Sequence, residues 1–555
     1  MIEGSIFLFL NAKIYTMDEV NSEAKSMAIF NDKILAIGAE KKVFEEIETF
    51  QKDKFINVIE INLNGACIVP GFIDTHMHPG YYIYFNTQRD LSDVKSYSKL
   101  EELLKLEDKK RSPGEWVLGF DLMEDIFEDP KERRFPNRYD LDKISLNRPI
   151  LIFRHDGHIC SVNSVALKLI GIDENNVKSK TPEFGEIRID KNGKPTGVFT
   201  EDAIGLASGA IQIPDIDAFR EATKKFSKEL ASQGITTCGG MVQTGDIGPA
   251  GKAGEMEVEL LRVLLNEGLV EQDIALYIGV EKPKKLKRFE KMFIKNIEFK
   301  NKYFIAGIKI YSDGSFGAST ACMFKPYSDS VEGKTGFMVI SKEQLFELVY
   351  GSVKLGFSVA THAIGDKANR IVVDIYRDVL SKITLKSELK QRLRIEHASI
   401  LREDVLKDAA DNKIIMCCQP AFINSEYTWL EKRIGSKRLK NAYPFRSIID
   451  SGCILAGASD APIESVNVLD ALQACVTRHG MVPEESITVL EALKMFTYNA
   501  AYALGQESIK GSLEKGKLAD FVILDRDILK IPIETIKNIK ILETYHRGTL
   551  IFKYN

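Results

Sequence analysis

His76 and His78 stand one residue apart in Gly71-Phe72-Ile73-Asp74-Thr75-His76-Met77-His78-Pro79-Gly80, directly after the apolar run Cys67-Ile68-Val69-Pro70. In an extended strand alternate side chains share a face, so both imidazoles point one way and Met77 the other. Two imidazoles so placed can grip one divalent ion, although two ordinary strand-end histidines would look the same. Lys309, between Ile308 and Ile310, puts an ammonium inside an apolar strand. Such a group is costly when unpaired, so it either loses its proton or snorkels out from a rim; a modified or metal-linked lysine is the functional reading. His362, His397 and Asp460 each end a further apolar segment, where any one of them could equally be a core histidine or a helix-capping aspartate. Together these residues form a ligand set suited to zinc and similar ions, whose catalytic sites keep a position open for water.

The segments that carry them follow a pattern. Eight apolar, β-type runs alternate with amphipathic helical stretches: Ile68 to Asp74, Ile235 to Met241, Ile274 to Val280, Ile305 to Tyr311, Phe357 to Thr361, Leu393 to Glu396, Ile414 to Gln419 and Ile454 to Ser459. Repeated βα units predict an α/β fold with a parallel sheet, and eight is the number that closes a (β/α)8 TIM barrel. Pro149 to Arg154 is excluded from this set because it lies in the long stretch from about Tyr84 to Asp215 that separates the first two strands. That stretch has strands, helices and turns such as Asn192-Gly193, and reads as a large insertion after strand 1. An insertion there sits over the active-site face, which makes it a candidate lid. Both chain ends are rich in short strands, including Ile6 to Leu10, Ala28 to Phe30, Phe521 to Leu524 and Thr549 to Phe552, and are expected to meet in one composite β unit. The expected domains are 1–66 and 505–555 for that unit and 67–504 for the barrel, with the insertion at about 84–215.

With 555 residues, 44% hydrophobic and 28% charged, and a net charge of −4, the chain has a globular composition without the basic excess that nucleic-acid binding needs. The densest basic stretch, Lys282 to Lys302, reads as the solvated face of an amphipathic helix. The start of the chain is acidic where a signal peptide is basic, and its apolar run is too short to span a bilayer, so a cytoplasmic location without membrane partners is expected. Eight scattered cysteines without a C-x-x-C pair fit buried thiols. His479 and His546 match no pattern and are expected at the surface. The expected partner is a small-molecule substrate; self-association into a homo-oligomer stays open.

H-x-H on strand one, Lys309 on four, His362 on five, His397 on six and Asp460 on eight resemble the binuclear amidohydrolase superfamily. His362-Ala363-Ile364-Gly365-Asp366, Arg394-Ile395-Glu396-His397, Lys309-Ile310-Tyr311-Ser312-Asp313-Gly314 and Asp156-Gly157-His158 resemble its YtcJ-like branch, the amidohydrolase 3 family that includes N-substituted formamide deformylases. Gly511-Ser512-Leu513-Glu514-Lys515-Gly516-Lys517-Leu518-Ala519-Asp520 is similar to the superfamily's return into a small β-sandwich. The resemblance covers nearly the whole chain. It implies that His76, His78 and Asp460 bind one divalent metal, zinc, that His362 and His397 bind a second, and that Lys309, carboxylated by carbon dioxide, bridges the two. It further implies that a metal-bridging hydroxide cleaves an amide or formamide-like C–N bond, with Asp460 as proton shuttle and an acid and an amine as products. His158, near Arg154 and His155, would meet the substrate or serve the fold, Asp313 would contact substrate or shape its loop, and Asp74 and Glu396 would hold the ligand histidines.

Two rivals remain. A mononuclear deaminase of the same superfamily carries Glu three residues after the strand-five histidine, where this chain has Gly365, and leaves Lys309 without a task. A non-catalytic metal-binding protein would be missing a ligand, and none is missing.

Overall fold

Eight parallel strands follow one another around a single sheet: Phe72–Met77, Ile235–Val242, Asp273–Ile278, Tyr303–Tyr311, Ser358–Ala363, Leu393–His397, Ile415–Cys418 and Leu455–Gly457, here barrel strands 1 to 8. The computed structural model describes residues 4–554 apart from 21, 53–55, 113, 156, 158, 183–184, 202, 212–213, 245–251, 295–301 and 384–390, and only the backbone of 252–255 and 293–294. The Thr75 hydroxyl donates to the Gly457 carbonyl (3.0 Å) and the Asp460 N–H to the His76 carbonyl (2.8 Å), which draws strand 8 against strand 1. The result is a nearly closed, TIM-like α/β barrel. Strands 2 and 3 are buried along their whole length, as parallel strands covered on both faces must be. The helices outside start on sequence signals: the Asp215 carboxylate accepts from the Ala218 N–H ahead of Ile216–Ser232, and Ser341 with Gln344 forms a capping box ahead of Lys342–Lys354. The basic stretch forms helix Lys284–Ile294 as expected, and residues 295–301 of it lie outside the described residues.

The first expected strand is divided in two. Cys67–Pro70 pairs with Lys13–Tyr15 and Phe521–Leu524 in a different, six-stranded sheet, and only Phe72–Met77 enters the barrel. Pro70 has no N–H to continue a ladder, and the Gly71 N–H turns away to the Asp520 carbonyl (2.8 Å). A Cβ on Gly71 would stand 2.5 Å from the Thr236 methyl, so the crossing needs glycine.

That six-stranded sheet takes Glu23–Ala24, Lys13–Tyr15 and Cys67–Pro70 from the start of the chain, and Phe521–Leu524, Ile541–His546 and Thr549–Lys553 from its end. A four-stranded sheet of Ile6–Leu10, Ser26–Phe30, Lys33–Gly38 and Val58–Asn62 shares a buried cluster with it, including Phe9, Met27, Ile29, Ile68, Phe521 and Tyr545. Where this unit meets the barrel, Asp273 at the start of strand 3 is buried and paired with Lys510 (2.5 Å) and Arg547 (2.9 Å), and Asp520 takes Lys510 at 2.9 Å. His546 joins this group, 3.2 Å from Asp273 and 2% exposed, which corrects its expected surface position. Its partner is remote in the chain, so nothing local in the sequence reports the contact.

Between barrel strands 1 and 2 lies a third sheet, in the order Gly185–Ile189, Pro195–Glu201, Ile159–Val162, Ile150–Arg154, Val117–Leu122 and Arg89–Asp90. The excluded segment is therefore a strand of this sheet. Helix Pro79–Asn86, which leaves the H-x-H, ties the sheet to the barrel: Phe85 stacks on Phe120 with ring centroids 3.9 Å apart and meets Phe153 at 5.3 Å. Among the described residues no helix is long and apolar enough to cross a membrane.

Candidate metal centre

The strand ends bring the six expected residues to one rim of the barrel. Parallel register sets Tyr311 beside His362 and Ala363 beside His397, so strands 4, 5 and 6 end at the same rim, with Lys309 two residues deeper, beside Ala360. His76 Nε2 lies 3.2 Å from Asp460 Oδ1 and 3.3 Å from Lys309 Nζ, and His78 Nε2 lies 3.2 Å from the same Asp460 oxygen. The His397 ring stands 5.1 Å from that of His76 and 4.5 Å from that of His362. Ligand atoms of His76, His397 and Asp460 all fall within 4.8 Å of one another, a grouping that could hold a metal ion.

Most of these residues are held from behind. His76 Nδ1 is 2.6 Å from Glu396 Oε2, and Glu396 is gripped by Arg394 through two nitrogens at 2.7 and 2.8 Å. This carboxylate–histidine pair leaves Nε2 as the nitrogen that faces the centre. His397 Nδ1 meets Gln419 Oε1 at 2.9 Å, which leaves its Nε2 free of that bond. The Asp74 carboxylate accepts from the His76 N–H (3.0 Å) and the Ser459 N–H (3.2 Å), joining strand 1 to the loop of Asp460. Asp313 accepts from the N–H groups of Cys322 (2.8 Å), Ile364 (3.1 Å) and Gly365 (2.9 Å), so it shapes the loops around His362. His362 Nε2 is 3.1 Å from the Gly314 carbonyl. His397 and Asp460 both take left-handed backbone angles, φ 69° and 65°, a strained conformation of the kind found where surrounding structure fixes a functional side chain.

The electrostatics favour ligand forms. Burial lowers His78 to about 4 and, with neighbouring His362, holds His397 well below the usual imidazole range, so both rings keep their lone pairs. Burial pushes the Lys309 ammonium down to about 8. Burial would raise Asp460 and Glu396, but His76 beside the first and Arg394 beside the second hold both carboxyls below their ordinary range. Burial raises Asp74 to about 6. Neutral imidazoles facing an ionised carboxylate are what a divalent cation requires. The fit has a direct sign: among the described residues Asp460 Oδ1, buried between two ring nitrogens, has no partner in hydrogen-bond geometry, and neither has His78 Nδ1. Both zinc and related ions accept this set of nitrogen and oxygen donors.

His158 and Asp156 lie outside the described residues. Sequence reading overlooked Gln419, which meets His397 from the next strand, and the place of Arg394 behind Glu396, whose own partner His76 lies 320 residues earlier in the chain. Tyr311 had a signal available, since it lies two residues after Lys309 on the same strand and so on the same face.

A model of the amidohydrolase family matches residues 60–552. The chain is similar to YtcJ of Bacillus subtilis (strain 168), named as a candidate amidohydrolase, with 29% identity over 553 residues covering 97% of this chain and 98% of that protein. It is 27% identical over 566 residues to the N-substituted formamide deformylase of Arthrobacter pascens, covering 98% of each. Among solved structures, an uncharacterized metal-dependent hydrolase from Pyrococcus furiosus superposes with a TM-score of 0.72 and 28% identity, over 95% of this chain and 100% of that one.

Proposed function

Since the chain belongs to the amidohydrolase family, we propose that it is a metal-dependent hydrolase of a small molecule, and that the bond it cleaves is the C–N bond of an amide or formamide. The observation that carries this reading is the convergence of His76 and His78 on one Asp460 oxygen at 3.2 Å each, with Lys309 and His397 alongside. In this reading His76, His78 and Asp460 would hold one ion, His362 and His397 would hold a second, and a carboxylated Lys309 would serve both. Such ions, zinc here, make water nucleophilic at neutral pH and polarise the carbonyl. Asp460 takes the proton from the attacking water as the C–O bond forms, then gives it to the nitrogen as the C–N bond breaks, leaving an acid and an amine. Glu396 and Gln419 keep the rings of His76 and His397 turned toward this chemistry.

Lys309 is suited to carboxylation. Burial lowers its pKa to about 8, so more of it is the neutral amine at neutral pH than of an ordinary lysine. Carbon dioxide reacts with that neutral form and turns a buried cation into an anionic oxygen ligand. Gly365 speaks against the single-metal deaminase. A Cβ there would run into the Cys322 carbonyl, so the glutamate of those enzymes has no room.

The reading extends to the architecture: a barrel within 67–504 from which the strand Cys67–Pro70 departs to the sheet of the chain ends, a β-sandwich from 1–66 and 505–555 that takes up that strand, and the insertion at about 84–215 as a lid. Supporting the lid, a Cβ on Gly157 would come 3.5 Å from Ile463, three residues beyond Asp460. The eight cysteines are free and buried, in keeping with a cytoplasmic enzyme. Its partner is the substrate alone, as a monomer or homo-oligomer.

Screening formamides, acylated amino acids and cyclic amides with the zinc-loaded protein tests the proposal. Equal amounts of acid and amine should appear, turnover should stop on chelation, and added zinc should restore it. Release of ammonia from an amino-substituted ring, with no amide cleaved, would favour deamination instead.

A further inference from the structure

Tyr311 closes barrel strand 4 at the edge of the candidate metal centre. Its ring centroid is 4.7 Å from Lys309 Nζ and 5.7 Å from the His362 ring. Its hydroxyl belongs to a short hydrogen-bond chain in which the Tyr81 hydroxyl donates to Gln243 Oε1 (2.5 Å) and Gln243 Nε2 donates to the Tyr311 oxygen (3.2 Å). The two lengths fix the direction of the chain. The shorter belongs to the O–H···O range and the longer to the N–H···O range, so the amide oxygen faces Tyr81 and the amide nitrogen faces Tyr311. Tyr81 is itself anchored by stacking on His78, with ring centroids 5.5 Å apart and planes 21° from parallel. The Tyr311 oxygen thus already accepts a bond, and its proton has no acceptor among the described residues. A phenol keeps its proton at neutral pH.

We propose that Tyr311 is a catalytic residue of this site: its hydroxyl donates a hydrogen bond to the carbonyl oxygen of the substrate and strengthens that bond as negative charge gathers on the oxygen during water attack. The Tyr81–Gln243 pair acts as the positioning element, because it occupies the lone pair of Tyr311 and turns the proton toward the centre. A fixed donor aimed at developing charge acts mainly on the transition state, so its loss is read in kcat more than in KM.

The inference rests on the amide-hydrolase reading, and the experiment separates the two. Zinc-loaded wild type and Tyr311→Phe are compared on N-benzylformamide, and the binding of formate, the product carboxylate, is measured by calorimetry on both. Phenylalanine keeps the ring contacts with Lys309 and His362, so zinc content should match the wild type, while the melting temperature falls slightly because the Gln243 N–H loses its acceptor. The expected result is a loss in kcat of about 100-fold with KM within threefold, and formate bound about tenfold more weakly. A kcat within threefold of wild type overturns the role of Tyr311. If the wild type cleaves no formamide, the amide-hydrolase reading fails on its own, and the formate arm decides for Tyr311: weaker binding by the variant supports the donor, and equal binding overturns it.

Discussion

Asp460→Asn should lower turnover by about 10³-fold or more while the protein keeps its metal. Asparagine preserves the shape and one oxygen of the side chain, so the contacts at 3.2 Å to His76 and His78 can persist. What it lacks is a proton acceptor. In the proposed cycle one carboxylate serves twice, first on the water and then on the leaving nitrogen, so both steps fail together; general acid–base groups contribute about 10²–10⁴-fold each. The depressed pKa of Asp460, which His76 imposes against the effect of burial, means that the wild-type group is ionised and ready to accept at neutral pH. Steady-state rates and zinc content measured on the same sample check this. Activity near wild type would remove Asp460 from proton transfer.

The second large effect is on stability. Arg394 is fully buried, grips Glu396 through two nitrogens, donates to the Thr75 carbonyl (2.8 Å) and lies 4.5 Å from the centroid of Tyr277. In Arg394→Met the Glu396 carboxylate stays buried with its main counter-charge gone, and breaking a buried pair in this way costs about 3–5 kcal/mol. Thermal melts of the metal-free protein should show a clear drop at pH 7. The pH dependence has a definite sign. The folded pKa of Glu396 lies below its unfolded value because Arg394 overcomes burial, so its contribution is fully present above about pH 4.3 and fades as pH falls toward the folded value. The gap between wild type and variant should therefore narrow below about pH 4.3. The double variant Arg394→Met with Glu396→Met should recover part of the loss, since no charge is then left unpaired. A gap that stays constant down to acid pH would mean that lost packing, rather than the stranded carboxylate, dominates.

The candidate ligands were legible in the sequence because the histidines and Asp460 follow apolar runs, and strand period and strand-end position are local signals. His76 and His78 share a face through the two-residue repeat alone, and Lys309 was conspicuous as a charge among isoleucines. The eight-stranded order follows from the same alternation of strands and helices. What stayed hidden depends on contacts between distant residues. Gly71 looks like the middle of one continuous strand until Thr236 is placed against it, and His546 looks like a surface residue until Asp273 is placed beneath it. Glu396 was visible as a neighbour of His397, but its hydrogen bond goes to His76, across the barrel and 320 residues earlier in the chain. Which side chain supports which ligand is decided by barrel closure, and closure leaves no trace within a local window of sequence.

The central claim, a centre of two ions bridged by a carboxylated lysine, is tested most directly by metal analysis of gently purified protein together with carbon-13 NMR after equilibration with labelled bicarbonate. The account predicts two ions per chain and a carbamate signal that disappears in Lys309→Met. One ion per chain, with Lys309 present as a free amine, would contradict it.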